Sequence, residues 1–286
     1  MIIDGHIHAA GKPGKRKEFT RRLAAAGVDG GIVISLAPAC FNFLGESVSH
    51  RERLDNVLSW CDSGPNLYPF YWIDPLERDA TEQVAVAVDA GIMGFKVICD
   101  HFPPGDERAM EVYRSIAGSH RPILFHSGIL WDGRASSNFN RPAGFEALLE
   151  VKGLTFSLAH ISWPWCDELI AVYGKFLNAG TRRSELSVEM FVDITPGTPP
   201  IYRREALTKL YTVGYDVQNN VIFGSDCSTD EYGSVWTRDW IDRDTAILKK
   251  LKLGRDAIRK LYEDNVKRFL GLPSRPVEKT RPRPAQ

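Results

Sequence analysis

Short apolar runs recur along this 286-residue chain, and helical patterns separate them. Eight runs stand out, at residues 2–8, 31–36, 67–73, 94–99, 122–126, 154–160, 187–193 and 221–226. Each is too short for a helix, rich in Val, Ile, Leu or Phe, and bounded by Gly, Pro or Asp, which suits a strand buried on both faces. Helices are expected at about 16–26, 49–61, 80–90, 108–119, 144–151, 165–178, 203–213, 235–251 and 255–270. Residues 39–47 and 127–143 read as loops. Strands that alternate with helices pair in parallel, and eight such units make a (β/α)8 barrel, an α/β fold. A doubly wound open sheet is the rival. It is weakened because no Gly-x-Gly-x-x-Gly follows the first strand. We read residues 1–272 as a single barrel domain and 273–286, proline-rich and charged, as a flexible C-terminal tail.

Composition narrows the partners. With 36 basic and 36 acidic residues the formal charge is zero, which argues against nucleic acid or an anionic membrane surface. No run of about 18 apolar residues exists to form a membrane span. The N-terminus enters the first strand directly, without a basic leader segment, so no signal peptide is expected. Five cysteines (Cys40, Cys61, Cys99, Cys166 and Cys227) are scattered, and none forms a Cys-x-x-Cys pair. They read as reduced thiols of a cytoplasmic protein. The expected partner is therefore a small-molecule substrate.

The strand ends carry the chemistry. The first strand finishes Asp4-Gly5-His6-Ile7-His8, and residues two apart on a strand share a face, so both imidazoles aim at one point. The fourth contains Lys96, the fifth ends at His126, the sixth at His160 and the eighth at Asp226. In a barrel these ends converge on the face where active sites lie. Four histidines and a carboxylate there suit a divalent metal, zinc first and manganese second. Any single one of them could instead cap the sheet or a helix. His50, His101 and His120 lie in loop or helix contexts and read as solvated or structural.

Together Asp4-Gly5-His6-Ile7-His8, the single His126 and His160, and Phe223-Gly224-Ser225-Asp226 resemble the amidohydrolase superfamily. More narrowly, they resemble its amidohydrolase-related branch, which includes aminocarboxymuconate-semialdehyde decarboxylase-like enzymes. Residues 264–272 resemble that branch's closing helix. The resemblance implies a metal held by His6, His8, His126 and Asp226, with Asp226 also taking a proton from water. It implies that His160 polarises the substrate or, with Lys96, holds a second ion. In binuclear relatives a lysine on this strand is carboxylated and bridges two metals. The other reading of Lys96 is a plain ammonium that pairs with Asp226 or with a substrate carboxylate. One ion or two therefore stays open.

Substrate signals are weaker. Arg134 and Arg141, in the loop after the fifth strand, could clamp a carboxylate or merely fix their own loop. Trp72 and Trp163 fall beside strand ends, as does Trp165. They could wall an aromatic pocket, pack in the core, or cover an interface in a homodimer or larger homo-oligomer. The expected function is metal-dependent hydrolysis of an amide, lactone or ester by activated water. Non-oxidative decarboxylation at the same site is the alternative, and a non-catalytic metal-binding barrel is the third reading.

Overall fold

The computed structural model describes residues 1–11, 13–44, 48–62, 64 and 66–274. The tail expected at its C-terminal end, beyond residue 274, lies outside the described residues, as do residues 45–47 of the loop after the second strand.

Among the described residues nine strands form one parallel sheet: β1 (Ile3–His8), β2 (Gly30–Ile34), β3 (Leu67–Trp72), β4 (Gly94–Val97), β5 (Ile123–Phe125), β6 (Thr155–Leu158), β7 (Glu189–Asp193), β8 (Val221–Ile222) and β9 (Cys227–Ser228). Their spatial order is β8-β7-β6-β5-β4-β3-β2-β1-β9. β8 opens the single run expected at 221–226, and β9 follows directly after that run ends. β8 pairs with β7, whereas β9 pairs with β1. Between them Gly5 N–H donates to Phe223 O at 2.8 Å and Asp226 N–H donates to His6 O at 3.0 Å. The sheet thus curls back onto its first strand and closes as the barrel that the alternation demanded.

Helices follow the strands: α1 (Arg16–Ala26), α2 (His50–Cys61), α3 (Ala80–Asp89), α4 (Glu107–Gly118), α5 (Cys166–Arg182), α6 (Pro200–Thr212) and α7 (Ser234–Lys250). Local chemistry sets several ends. Ser49 and Glu52 form a reciprocal capping box on α2, and Asp106 accepts the first free N–H groups of α4. The helix expected at 144–151 is present as a 3-10 helix over Pro142–Glu150. Pro142 and Gly144 are poor formers of a longer helix.

Two apolar clusters result. The larger fills the shell between sheet and helices, with Val97, Phe125, Phe156 and Val192 pointing outward to meet Tyr113, Phe145 and Phe176. The smaller fills the barrel, with Ile32, Phe70, Leu124, Phe191 and Ile222. Phe269, in the closing helix, lies 5.2 Å from the Phe191 ring and 6.2 Å from Phe70, and so plugs the barrel floor. A register shift between Asp4 and Ile7 interrupts β1. This irregularity lets Ile3 join the interior cluster while His6 and His8 still face the interior at the other end. Arg203 of α6 and Asp244 of α7 form a fully buried pair at 2.7 Å, and Arg203 also donates to Ile194 O. That pair ties both helices to the end of β7.

Candidate metal centre

At the C-terminal ends of the strands lies a cavity of about 830 Å³. His6, His8, Lys96, His126, His160 and Asp226 all line it, as do Trp72 and Trp163. The expected metal and catalytic residues therefore share one cavity. The two arginines do not reach it. Arg134 Nη2 donates to Asp100 at 2.7 Å and its Nε to Asp132 at 3.1 Å. Arg141 pairs with Glu168 at 2.6 Å and stacks over Trp165. Both arginines fix loops, the second of the two roles their position allowed.

Three donor atoms make a tight triangle. His6 Nε2 and His8 Nε2 are 3.2 Å apart, and Asp226 Oδ1 lies 3.5 Å from the first and 3.4 Å from the second. Ligands about 2.0–2.1 Å from a tetrahedral zinc lie roughly 3.3 Å from each other. The triangle fits such an ion. Two facing ring nitrogens and a carboxylate oxygen also lack enough protons to satisfy one another, which is the chemistry of a cation site. His160 offers a nitrogen within 4.8 Å of donor atoms of both His6 and Asp226. His126 stands one step back. Its Nε2 contacts Ile129 O at 3.2 Å and its ring centroid lies 4.9 Å from that of His160. If Nε2–H donates to that carbonyl, Nδ1 carries the lone pair that a metal takes.

Asp193, at the end of β7, is the residue the sequence reading passed over. Its Oδ2 accepts from His6 Nδ1 at 2.8 Å, with both side chains almost wholly buried. Its Oδ1 takes the Thr195 N–H at 2.6 Å and the Thr195 hydroxyl. This bond fixes the His6 tautomer with its Nε2 lone pair toward the cavity. The available signal was a carboxylate at the end of an apolar strand, the same signal that marked Asp226.

Burial and neighbouring charge tune these groups. Burial and the Lys96 ammonium push His6 well below the usual histidine range. Burial and His160 do the same to His126, and burial lowers His160. Neutral imidazoles are the form that binds metal. Lys96, whose Nζ lies 3.4 Å from His6 Nε2, is brought down to about 8 by burial, against the pull of Asp226 and Asp193. Burial would raise Asp226, but the hydrogen bond from His8 and the surrounding imidazoles outweigh it and keep this group a carboxylate.

The backbone at these positions is unusual. His160, Ile161 and Ser162 have φ of 61°, 45° and 52°, and Asp226 has φ of 61°. Non-glycine residues rarely adopt this left-handed region, least of all a β-branched isoleucine. Glycines make the crowding tolerable. A Cβ on Gly224 would lie 2.2 Å from Thr195 Oγ1 and 2.6 Å from His6 Cβ, and one on Gly197 would lie 2.7 Å from His160 Cβ. His160 Nδ1 is buried without a hydrogen-bond partner among the described residues.

Known proteins share this plan. A family model described as amidohydrolase matches residues 3–272. No curated protein sequence matches the chain. Among solved structures, dihydroorotase from Campylobacter jejuni is similar with a TM-score of 0.61 and 14% identity, covering 96% of this chain and 84% of that one. A 2,6-dihydroxybenzoate decarboxylase from Rhizobium has a TM-score of 0.61 and 11% identity, covering 94% and 98% respectively. A protein titled amidohydrolase 2 from Bifidobacterium longum subsp. infantis has a TM-score of 0.59 and 13% identity, covering 95% and 99%. At these identities the solved structures bear on the fold.

Proposed function

The chain belongs to the amidohydrolase family, and from that premise we propose that it is a metal-dependent hydrolase splitting an amide, lactone or ester bond of a small molecule. The observation that carries this reading is Asp226, a carboxylate that touches the His6–His8 pair and still faces an open cavity beside His160. We assign the ion to His6, His8, His126 and Asp226, with zinc the best match to a nitrogen-rich set and manganese the second choice. Lys96 and His160 would join if a second ion binds. A divalent ion held there lowers the pKa of water and polarises a carbonyl.

The protein's own residues do the rest. Asp226 accepts the proton of the attacking water and returns it to the leaving group. His160 lines the same cavity, with a nitrogen within 4.8 Å of donor atoms of His6 and Asp226, and its ring can donate to the carbonyl oxygen as negative charge builds. Phe41, Trp72, Trp131, Trp163, Ile98 and Leu130 make the cavity wall largely apolar, so the substrate carries an apolar or aromatic body.

Decarboxylation keeps one specific observation in its favour. Lys96 is the one Lys or Arg among the described residues lining the cavity, and its ammonium beside His6 can hold a substrate carboxylate. The dihydroxybenzoate decarboxylase among the structural neighbours acts on such an acid. A non-catalytic barrel would need Asp226 or His160 turned away from the cluster. Both face it.

The test is a screen of the metal-loaded protein on lactones, aryl esters, N-acyl compounds and aromatic acids, repeated with Asp226→Asn. Hydrolysis that falls about 10²–10⁴-fold in the variant, with metal largely retained, supports the assignment. Near wild-type hydrolysis by Asp226→Asn removes it as the base. Release of carbon dioxide from an aromatic acid, with no hydrolytic turnover, decides for the decarboxylase.

A further inference from the structure

A second cluster lies behind the cavity wall. Cys40 follows β2, Asp74 follows β3 and His101 follows β4. One donor atom from each of the three lies within 4.8 Å of the others. Phe41, next to Cys40, and Ile98, near His101 in sequence, line the active-site cavity, so the cluster sits against the same barrel rim. None of these three side chains belongs to the histidine-rich centre.

The details go beyond proximity. Asp100 is buried, and its Oδ1 lies 2.6 Å from His101 Nδ1. Arg134 holds the other Asp100 oxygen at 2.7 Å. A carboxylate bonded to one imidazole nitrogen fixes the tautomer and presents the other nitrogen as a lone pair, which is how metal-binding histidines are braced. That other nitrogen, His101 Nε2, faces Asp74 Oδ2 at 3.8 Å. The gap is too long for a hydrogen bond and sets an acceptor against an acceptor. It suits two ligands of one ion. Asp74 is itself only 8% exposed, and no Lys or Arg pairs with it among the described residues. Its Oδ1 takes the Leu76 N–H at 2.9 Å, and the Cys40 Sγ lies within 4.8 Å of a carboxylate oxygen. A buried carboxylate without a cation is costly, and a thiol, an imidazole and a carboxylate are a zinc ligand set.

We propose that Cys40 Sγ, an Asp74 carboxylate oxygen and His101 Nε2 form a second metal site, for zinc or a similar borderline-soft divalent ion. His101 is 39% exposed, so solvent reaches the cluster and can supply a further ligand. On binding, the Cys40 proton leaves to water as the sulfur–metal bond forms, and the positive ion takes its place beside Asp74. The site links the ends of β2, β3 and β4, and so pins the wall that carries Phe41 and Trp72. Asp100 is a positioning residue in this arrangement, and the proposal does not depend on which reaction the main centre performs.

Cobalt(II) is the probe, because cobalt bound to thiolate absorbs in the near ultraviolet and the histidine-rich centre has no sulfur ligand. The full chain, stripped of metal under reducing conditions, is titrated with cobalt. The expected result is a thiolate-to-cobalt band in the wild type and also in His6→Ala with His8→Ala, displaced by zinc. Cys40→Ser should abolish the band while its circular dichroism and melting temperature stay near wild type. His101→Ala, at a partly exposed side chain, should weaken cobalt binding at this site by about tenfold or more, since loss of even an orienting partner costs about 10–100-fold. No band in the wild type overturns the proposal. So does a band that survives Cys40→Ser, since its sulfur would then be Cys61, Cys99, Cys166 or Cys227, and so does an unchanged titration of His101→Ala.

Discussion

Replacing Asp193 should disarm the proposed main metal centre without touching a residue assigned as a metal ligand. The carboxylate accepts from His6 Nδ1 at 2.8 Å, the short distance of a charge-assisted bond, in a place almost closed to water. Its other oxygen must keep accepting from the Thr195 N–H and hydroxyl. In Asp193→Asn the amide oxygen is therefore retained by Thr195, and the NH2 group turns to His6. A donor then faces Nδ1. His6 must shift its proton to Nε2, the atom that closes the triangle with His8 and Asp226. Asp193→Ala removes the brace but imposes no wrong tautomer. Losing such a partner costs about 10–100-fold in metal affinity, or about 1.4–2.7 kcal/mol. We expect the Ala variant near the lower end of that range and the Asn variant at or beyond the upper end. The assay is zinc affinity by competition with a chromophoric chelator, with melting temperature of the metal-free proteins as the control for folding. Equal zinc affinity in wild type, Asn and Ala variants would refute the reasoning. So would an Ala variant much weaker than Asn.

Three further outcomes are expected. His6→Ala with His8→Ala should lose most zinc or manganese from the main centre by elemental analysis of a Cys40→Ser background, and unchanged content would sink the ligand assignment. Lys96, at about 8, is mostly protonated at pH 7 and becomes a neutral amine as pH rises past 8. Added bicarbonate above pH 8 should then favour its carbamate and raise the metal count at this centre from one to two, read as electron density at Lys96 together with metal analysis. Two full ions flanking a plain lysine would contradict that linkage. Finally, Asp244→Ala strands the fully buried Arg203 guanidinium and should cost about 3–5 kcal/mol in urea unfolding, whereas a loss below about 1 kcal/mol would show the pair to be dispensable.

The strands were legible because each is buried on both faces and must therefore be apolar throughout. His6, His8, His126, His160 and Asp226 stood out for the same reason, as polar groups ending runs where polarity is costly. Asp193 ended such a run too, yet its partner could not be read, because only the folded barrel shows His6 of β1 opposite β7. The roles of Arg134 and Arg141 were not legible. A loop arginine looks alike in sequence whether it meets a substrate or the carboxylates Asp100 and Glu168. The closing strand also could not be read in detail. Residues 221–226 read as one strand, but regular strand stops at Ile222 and resumes only at Cys227, just past Asp226 with its positive φ.

His160 and Asp226, the two residues to which we assign the chemistry, sit on backbone that an L-residue enters at a cost of about 1–2 kcal/mol each. Glycine would sit at either position without that cost. Laboratory evolution for heat tolerance alone should therefore drift toward glycine at 160 and 226, and arrive at a sturdier barrel that has forgotten its chemistry. Any stabilisation campaign on this protein needs turnover as a second selection from the first round.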